Sequence, residues 1–145
     1  MDSLKELYQE IILEHNKHPR NAHKMECPTC SAEGVNPLCG DEVIVFVKLD
    51  GDTITDVSFL GQGCAISQAS ASLMTLAIKG KTIEEAQKQT SIVFELLTND
   101  ILSPSELDKL GDLVALSGVR QFPARIKCAT LAWHSLESAL RKVLV

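Results

Sequence analysis

The chain has 145 residues, 45% of them hydrophobic and 23% charged, with a net charge of −5. That length predicts one domain, 1–145, large enough for a real core, and no block of Lys and Arg is dense enough to suggest nucleic acid as a partner. The longest uninterrupted aliphatic or aromatic run, 43–47, is far short of the roughly 20 residues that span a bilayer, so no membrane segment is expected.

The charged start, Met1-Asp2-Ser3-Leu4-Lys5-Glu6, lacks the apolar stretch of a signal peptide. Five cysteines, an odd number, then read as reduced thiols for metal or redox chemistry rather than as a disulfide framework. The expected location is the cytoplasm.

Leu4, Leu7, Ile11, Ile12 and His15 fall at helical spacings and predict a helix over 2–16. Pro19, Asn21 and Pro28 break the period and predict a loop over 16–28. Residues 42–49 alternate around Val43, Val45 and Val47, and 54–59 around Ile54, Val57 and Phe59. Asp50-Gly51-Asp52 between them makes a β-hairpin whose acidic tip, with Asp56, is expected to face water.

Gly61-Gln62-Gly63 ends the second strand, and Cys64 stands at the start of a helix reaching Ile78 and closed by Gly80. Thr82-Ile83-Glu84-Glu85 is a capping box for a short helix. Helical patterning resumes over 91–97, and 98–113 is polar and broken by Pro104 and Gly111. Pro123 predicts the start of a last helix running to about Val143 through Ile126, Leu131, Leu136 and Leu140. The class is α+β: a small antiparallel sheet of about three strands with helices packed on one side.

Cys39, Asp41, Cys64 and Cys128 are the candidates for chemistry. Each lies where one element hands over to another or near a helix start, and such positions converge easily at one edge of a small sheet. Three thiolates and a carboxylate suit the tetrahedral demand of zinc, with Zn–S near 2.3 Å and Zn–O at roughly 2.0–2.2 Å. A carboxylate in place of a fourth thiolate or a histidine suggests a site meant to open. Taken singly, each cysteine could instead be core packing, least readily Cys39 with its polar neighbours Gly40 and Asp41 and most readily Cys128, while Cys64 could be a thiol acidified by a helix start. Zinc with this set carries a formal charge of −2, which Arg125 and Lys127 could offset.

Three motifs then reach a family. Asn36-Pro37-x-Cys39-Gly40-Asp41, Gly61-x-Gly63-Cys64-x-Ile66-Ser67-x-Ala69-Ser70 and Phe122-Pro123-x-Arg125-Ile126-Lys127-Cys128-Ala129-Thr130-Leu131-x-Trp133 resemble the SufU proteins. These belong to the IscU/NifU-like superfamily of iron–sulfur cluster assembly. The likeness runs over nearly the whole chain, including His15, Pro19 and Arg20. Scaffold-type IscU proteins carry a histidine where Lys127 stands and a much shorter stretch between the second and third cysteines, here 64 positions apart.

The resemblance implies a zinc-dependent sulfurtransferase. It would take persulfide sulfur from a SufS-type cysteine desulfurase, which Arg125 would help to bind, and pass it to the SufBCD assembly complex. Whether such a carrier counts as an enzyme in its own right is left open. Zinc would hold the acceptor thiol deprotonated near neutral pH, and Cys39, on a loop freed by Gly40, is the expected acceptor. The rival reading is a scaffold that builds a transient [2Fe–2S] cluster on the same ligands. A structural zinc adaptor is the third.

Cys27-Pro28-Thr29-Cys30 has no counterpart in that pattern. It reads as a half-site for a second metal with His18 or His23, as a redox or sulfur-relaying pair near Cys39, or as a local variation without a required role. A zinc ribbon would need a second such pair, and none exists. His15 and His18, at a helix end, are expected to meet free carbonyls. His134 is expected on the surface or facing a partner, and Trp133 in the core or an interface.

Overall fold

The alternating middle third of the chain makes the sheet. The computed structural model describes residues 2–98 and 103–144. Strands β1 (Cys30–Asn36), β2 (Asp41–Asp50) and β3 (Thr53–Gln62) form one antiparallel sheet in sequence order. Val45 lies opposite Ala32 and Phe59, and Val47 opposite Cys30 and Val57. With Val43 they make one buried face, as a two-residue period requires. Phe46 and Ser58, paired on the other face, are buried as well. A register shift between Lys48 and Leu49 re-aims the hairpin so that Ile54 also reaches the core.

Helices α1 (Asp2–Lys17), α2 (Ala65–Ile78), α3 (Ile83–Thr98), α4 (Pro104–Leu110) and α5 (Pro123–Leu144) pack alongside. A 3-10 stretch, Gly111–Gln121, joins the last two. Helix α5 lies on β1 and β2, α2 on β3 and α5, and α1 on α2 and the 3-10 stretch. Helix α2 is central and buried nearly all round from Ala69 to Thr75, so small side chains prevail there. Its hydroxyls then need partners: Ser70 Oγ accepts the indole N–H of the fully buried Trp133 at 3.1 Å.

Three elements differ from expectation. The Cys27-x-x-Cys30 motif does not lie wholly in a loop, because Cys30 is the first residue of β1. Only Val35 in Cys30–Asn36 is a strong strand former, and Gly34 looks like a breaker. It is there because Ser135 and Leu131 of α5 occupy the space a Cβ would need. The helical patches at 82–85 and 91–97 are one helix; Thr90, between them, caps its own hydroxyl on the Ala86 carbonyl at 2.8 Å and stays helical. Of the broken stretch 98–113, residues 99–102 lie outside the described residues. Pro104 begins α4 instead of breaking it, with a Ser103/Glu106 capping box in front. The Thr82/Glu85 box forms reciprocally, at 2.9 and 3.1 Å. Asp56 at the hairpin is paired with Lys79 at 3.5 Å and not merely hydrated.

Candidate metal centre

The candidate ligands come from three places that meet at one end of the sheet. Cys39 sits in the turn from β1 to β2, where its N–H bonds the Asn36 carbonyl at 3.2 Å. Gly40 follows with φ +70 and open space around it. Asp41 opens β2 opposite Asn36 and is fully buried. Cys64 is the N-cap of α2, its sulfur accepting the Ser67 N–H at 3.4 Å. Cys128 is in the second turn of α5 and fully buried.

Cys39 Sγ, a carboxylate oxygen of Asp41 and Cys128 Sγ all lie within 4.8 Å of one another. Four arms of about 2.3 Å at tetrahedral angles place sulfurs about 3.8 Å apart, so closing this set on an ion takes a contraction of at most about an ångström. Asp41 Oδ1 accepts the Cys64 N–H at 2.8 Å, and Oδ2 stands 3.9 Å from Cys64 Sγ. One carboxylate oxygen is thus fixed by backbone while the other faces a thiol. Gly63 makes this possible: a Cβ there would run into Asp41 Oδ1 and come within 2.9 Å of Asp41 Cα.

Electrostatics fit a cation. Burial pushes the Cys128 thiol well above its ordinary range, and hydrogen bonds with Asp41, Cys39 and Cys64 add to the rise. The enclosed Cys128 thiol therefore resists ionising on its own. A divalent ion removes that penalty, and sulfur with one carboxylate oxygen is a donor set zinc accepts. The residues fit the group.

Arg125 and Lys127 are both exposed. Arg125 is held charged beyond its usual range, first by a hydrogen bond to Cys128 and then by the Cys64 and Cys39 thiols. Its guanidinium therefore belongs to the rim of the centre. Asn36 was not singled out from sequence. Its buried side chain donates Nδ2–H to Cys128 Sγ at 3.7 Å. Its place in the Asn36-Pro37-x-Cys39 motif was the available signal.

The Cys27/Cys30 pair is elsewhere. Cys30 is at the far end of β1 from Asn36, six residues or about 20 Å away, so the pair is not near Cys39. Among the described residues, neither cysteine joins His18 or His23 in a group that could hold a metal. Cys27 is exposed, and burial raises the Cys30 thiol. His15 is buried and meets a hydroxyl, not a carbonyl: its Nδ1 lies 2.7 Å from Ser72 Oγ, which also accepts the Arg20 N–H at 2.8 Å. His134 is exposed and lies against Phe94, ring centres 4.7 Å apart.

Comparison with known proteins gives the family. The NifU-like N-terminal domain profile matches residues 7–142. The zinc-dependent sulfurtransferase SufU of Bacillus subtilis (strain 168) is 46% identical over 143 residues, covering 97% of this chain and 93% of that protein. The iron–sulfur cluster assembly scaffold protein IscU of Streptococcus pyogenes serotype M1 is 39% identical over 145 residues, covering 98% and 87%. Among solved structures, an iron–sulfur cluster assembly scaffold protein for the SUF system from Fervidobacterium islandicum AW-1 superposes with a TM-score of 0.81 at 37% identity, covering 90% of this chain and 94% of that one. Among the described residues, no helix is long and apolar enough to cross a membrane. The chain belongs to the NifU-like N-terminal domain family, with SufU and IscU proteins among its relatives.

Proposed function

We propose that this protein is a zinc-dependent sulfurtransferase of iron–sulfur cluster assembly, with Cys39 as the sulfur acceptor and Cys39, Asp41, Cys64 and Cys128 as zinc ligands. The observation that carries the reading is the convergence of Cys39, Asp41 and Cys128 within 4.8 Å, with Cys64 tied to the same carboxylate. When bound, zinc keeps the thiols deprotonated at neutral pH. The 46% identity to a zinc-dependent sulfurtransferase supports the same chemistry.

Cys39 differs from the other two thiols. Cys64 is fixed as a helix cap and Cys128 is enclosed, whereas Cys39 is half-buried on a turn whose neighbour Gly40 meets nothing within 4 Å. It can leave the cluster with the least disturbance. Its thiolate attacks the outer sulfur of a cysteine persulfide on a SufS-type desulfurase. The new S–S bond forms at Cys39 as the donor's S–S bond breaks, and the donor cysteine departs as thiolate. No net oxidation occurs. Arg125, exposed beside the thiols, suits both the incoming anionic persulfide and the docking partner. The sulfur then passes to a SufBCD-type assembly complex. Five free cysteines suit a reducing compartment such as the cytoplasm.

The experiment is desulfurase turnover with the zinc-loaded chain, followed by mass spectrometry of the persulfidated cysteine. Stimulation with zinc retained and persulfide on Cys39 is expected, and Cys39→Ala abolishes uptake. Uptake by Cys39→Ala at the wild-type rate refutes the assignment. The IscU relative keeps a second reading in play, a [2Fe–2S] scaffold on the same ligands. Displacement of zinc by iron and sulfide to give a stable cluster, without stimulation, would favour it.

A further inference from the structure

Hydrogen bonds are spread unequally over the three thiols. Cys64 receives the Ser67 N–H. Cys128 receives the Asn36 Nδ2–H at 3.7 Å and is hydrogen-bonded to Arg125. Among the described residues, no N–H donor reaches Cys39. An N–H···S bond draws charge from a thiolate, which makes it a poorer nucleophile and a better-settled ligand. Outer-shell partners of this kind orient metal ligands and tune them.

We infer that Asn36 is a positioning residue: its amide anchors Cys128 as a permanent metal ligand, so that Cys39 is the thiolate free to leave. The inference rests on the zinc reading above. Asn36 is well built for the task. It is buried at the end of β1, its backbone is paired with Asp41, and its carbonyl takes the Cys39 N–H. One residue therefore sets the turn that carries the mobile thiol and, through its side chain, secures the fixed one. Pro37 follows directly and stiffens the exit from the strand. Arg125 is exposed and able to turn toward a partner, whereas the Asn36 donor is enclosed and permanent. The two bonds on Cys128 thus differ in kind.

The test is competition for zinc with a chelator in the wild type, Asn36→Leu and Asn36→Gln. Asn36→Leu keeps the bulk and loses the donor; its zinc affinity is expected to fall about 10-fold. Asn36→Gln keeps an amide and is expected to recover most of the loss. The melting temperature of the metal-free protein should change less than the rise that zinc produces. Unchanged affinity in a folded Asn36→Leu overturns the inference, and so does an Asn36→Gln as weak as Asn36→Leu, which would mean shape and not the donor. If Asn36→Leu does not fold, wild-type protein loaded with NMR-active cadmium decides. A scalar coupling between the metal and the Asn36 amide protons through the Cys128 sulfur is expected, and its absence overturns the role. No persulfide is involved, so failure here leaves the Cys39 test standing, and the reverse holds too.

Discussion

Two glycines flank the candidate centre, and replacing each by alanine asks different things of the structure. Gly63 has φ +148, and a Cβ there would collide with the Asp41 carboxylate and lie 2.9 Å from Asp41 Cα. Turning the carboxylate aside does not relieve the second contact, which is with backbone. Backbone strain of about 1–3 kcal/mol and overpacking of about 1–3 kcal/mol together predict a loss of about 2–6 kcal/mol. Gly40 has φ +70 with nothing within 4 Å, so Gly40→Ala meets only the left-handed backbone penalty of about 1–2 kcal/mol. Gly63→Ala also displaces the oxygen that accepts the Cys64 N–H, so it should lose bound zinc while Gly40→Ala keeps it. Urea melts and zinc content per chain measure both effects. Equal stability and equal zinc in the two variants would refute the argument that Gly63 exists to admit Asp41.

Three further outcomes concern regions away from the centre. Ser72→Ala removes the shared partner of His15 Nδ1 and the Arg20 N–H; with a buried donor orphaned, a loss of about 1–3 kcal/mol is expected in denaturant melts. Burial first, then the Arg20 charge, lowers the His15 pKa below its ordinary 6.5, against smaller opposing pulls from Asp112 and Glu14. The unfolded chain then binds the proton more readily. The contribution is full above pH 6.5 and is lost as pH falls through the lower folded value, so melting temperature should drop over that interval and do so less steeply in His15→Gln. Finally, Cys27→Ser/Cys30→Ser should leave zinc content and persulfide uptake unchanged; loss of either would contradict the separation of about 20 Å along β1.

The hairpin, α2 and α5 were readable because their apolar periods are long and their ends are marked by glycines, Cys64 and Pro123. Cys39, Asp41 and Cys128 were candidates from their places at or near element ends, and the fold brings these three together, whereas Cys64 is linked to the group through the Asp41 carboxylate. Strand β1 was hidden because Gly34 answers to Ser135 and Leu131, more than ninety positions later in the chain. The Asn36 bond to Cys128 spans 92 positions, and no local pattern announces such a contact. His15 was misjudged for a similar reason: its partner Ser72 is 57 positions away and on another helix.

The distance in sequence between Cys64 and Cys128, 64 positions, has a consequence for folding. An ion held by both ties the start of α2 to the start of α5 and closes a loop containing α3, α4 and the 3-10 stretch. By the chain-entropy relation used for cross-links, a closure of that length is worth about 4 kcal/mol against the open unfolded chain. Among the described residues, however, the enclosed segment supplies no candidate ligand. It can fray and reclose while the clasp stays shut, so hydrogen exchange within α4 should be nearly insensitive to the ion, whereas global unfolding should not.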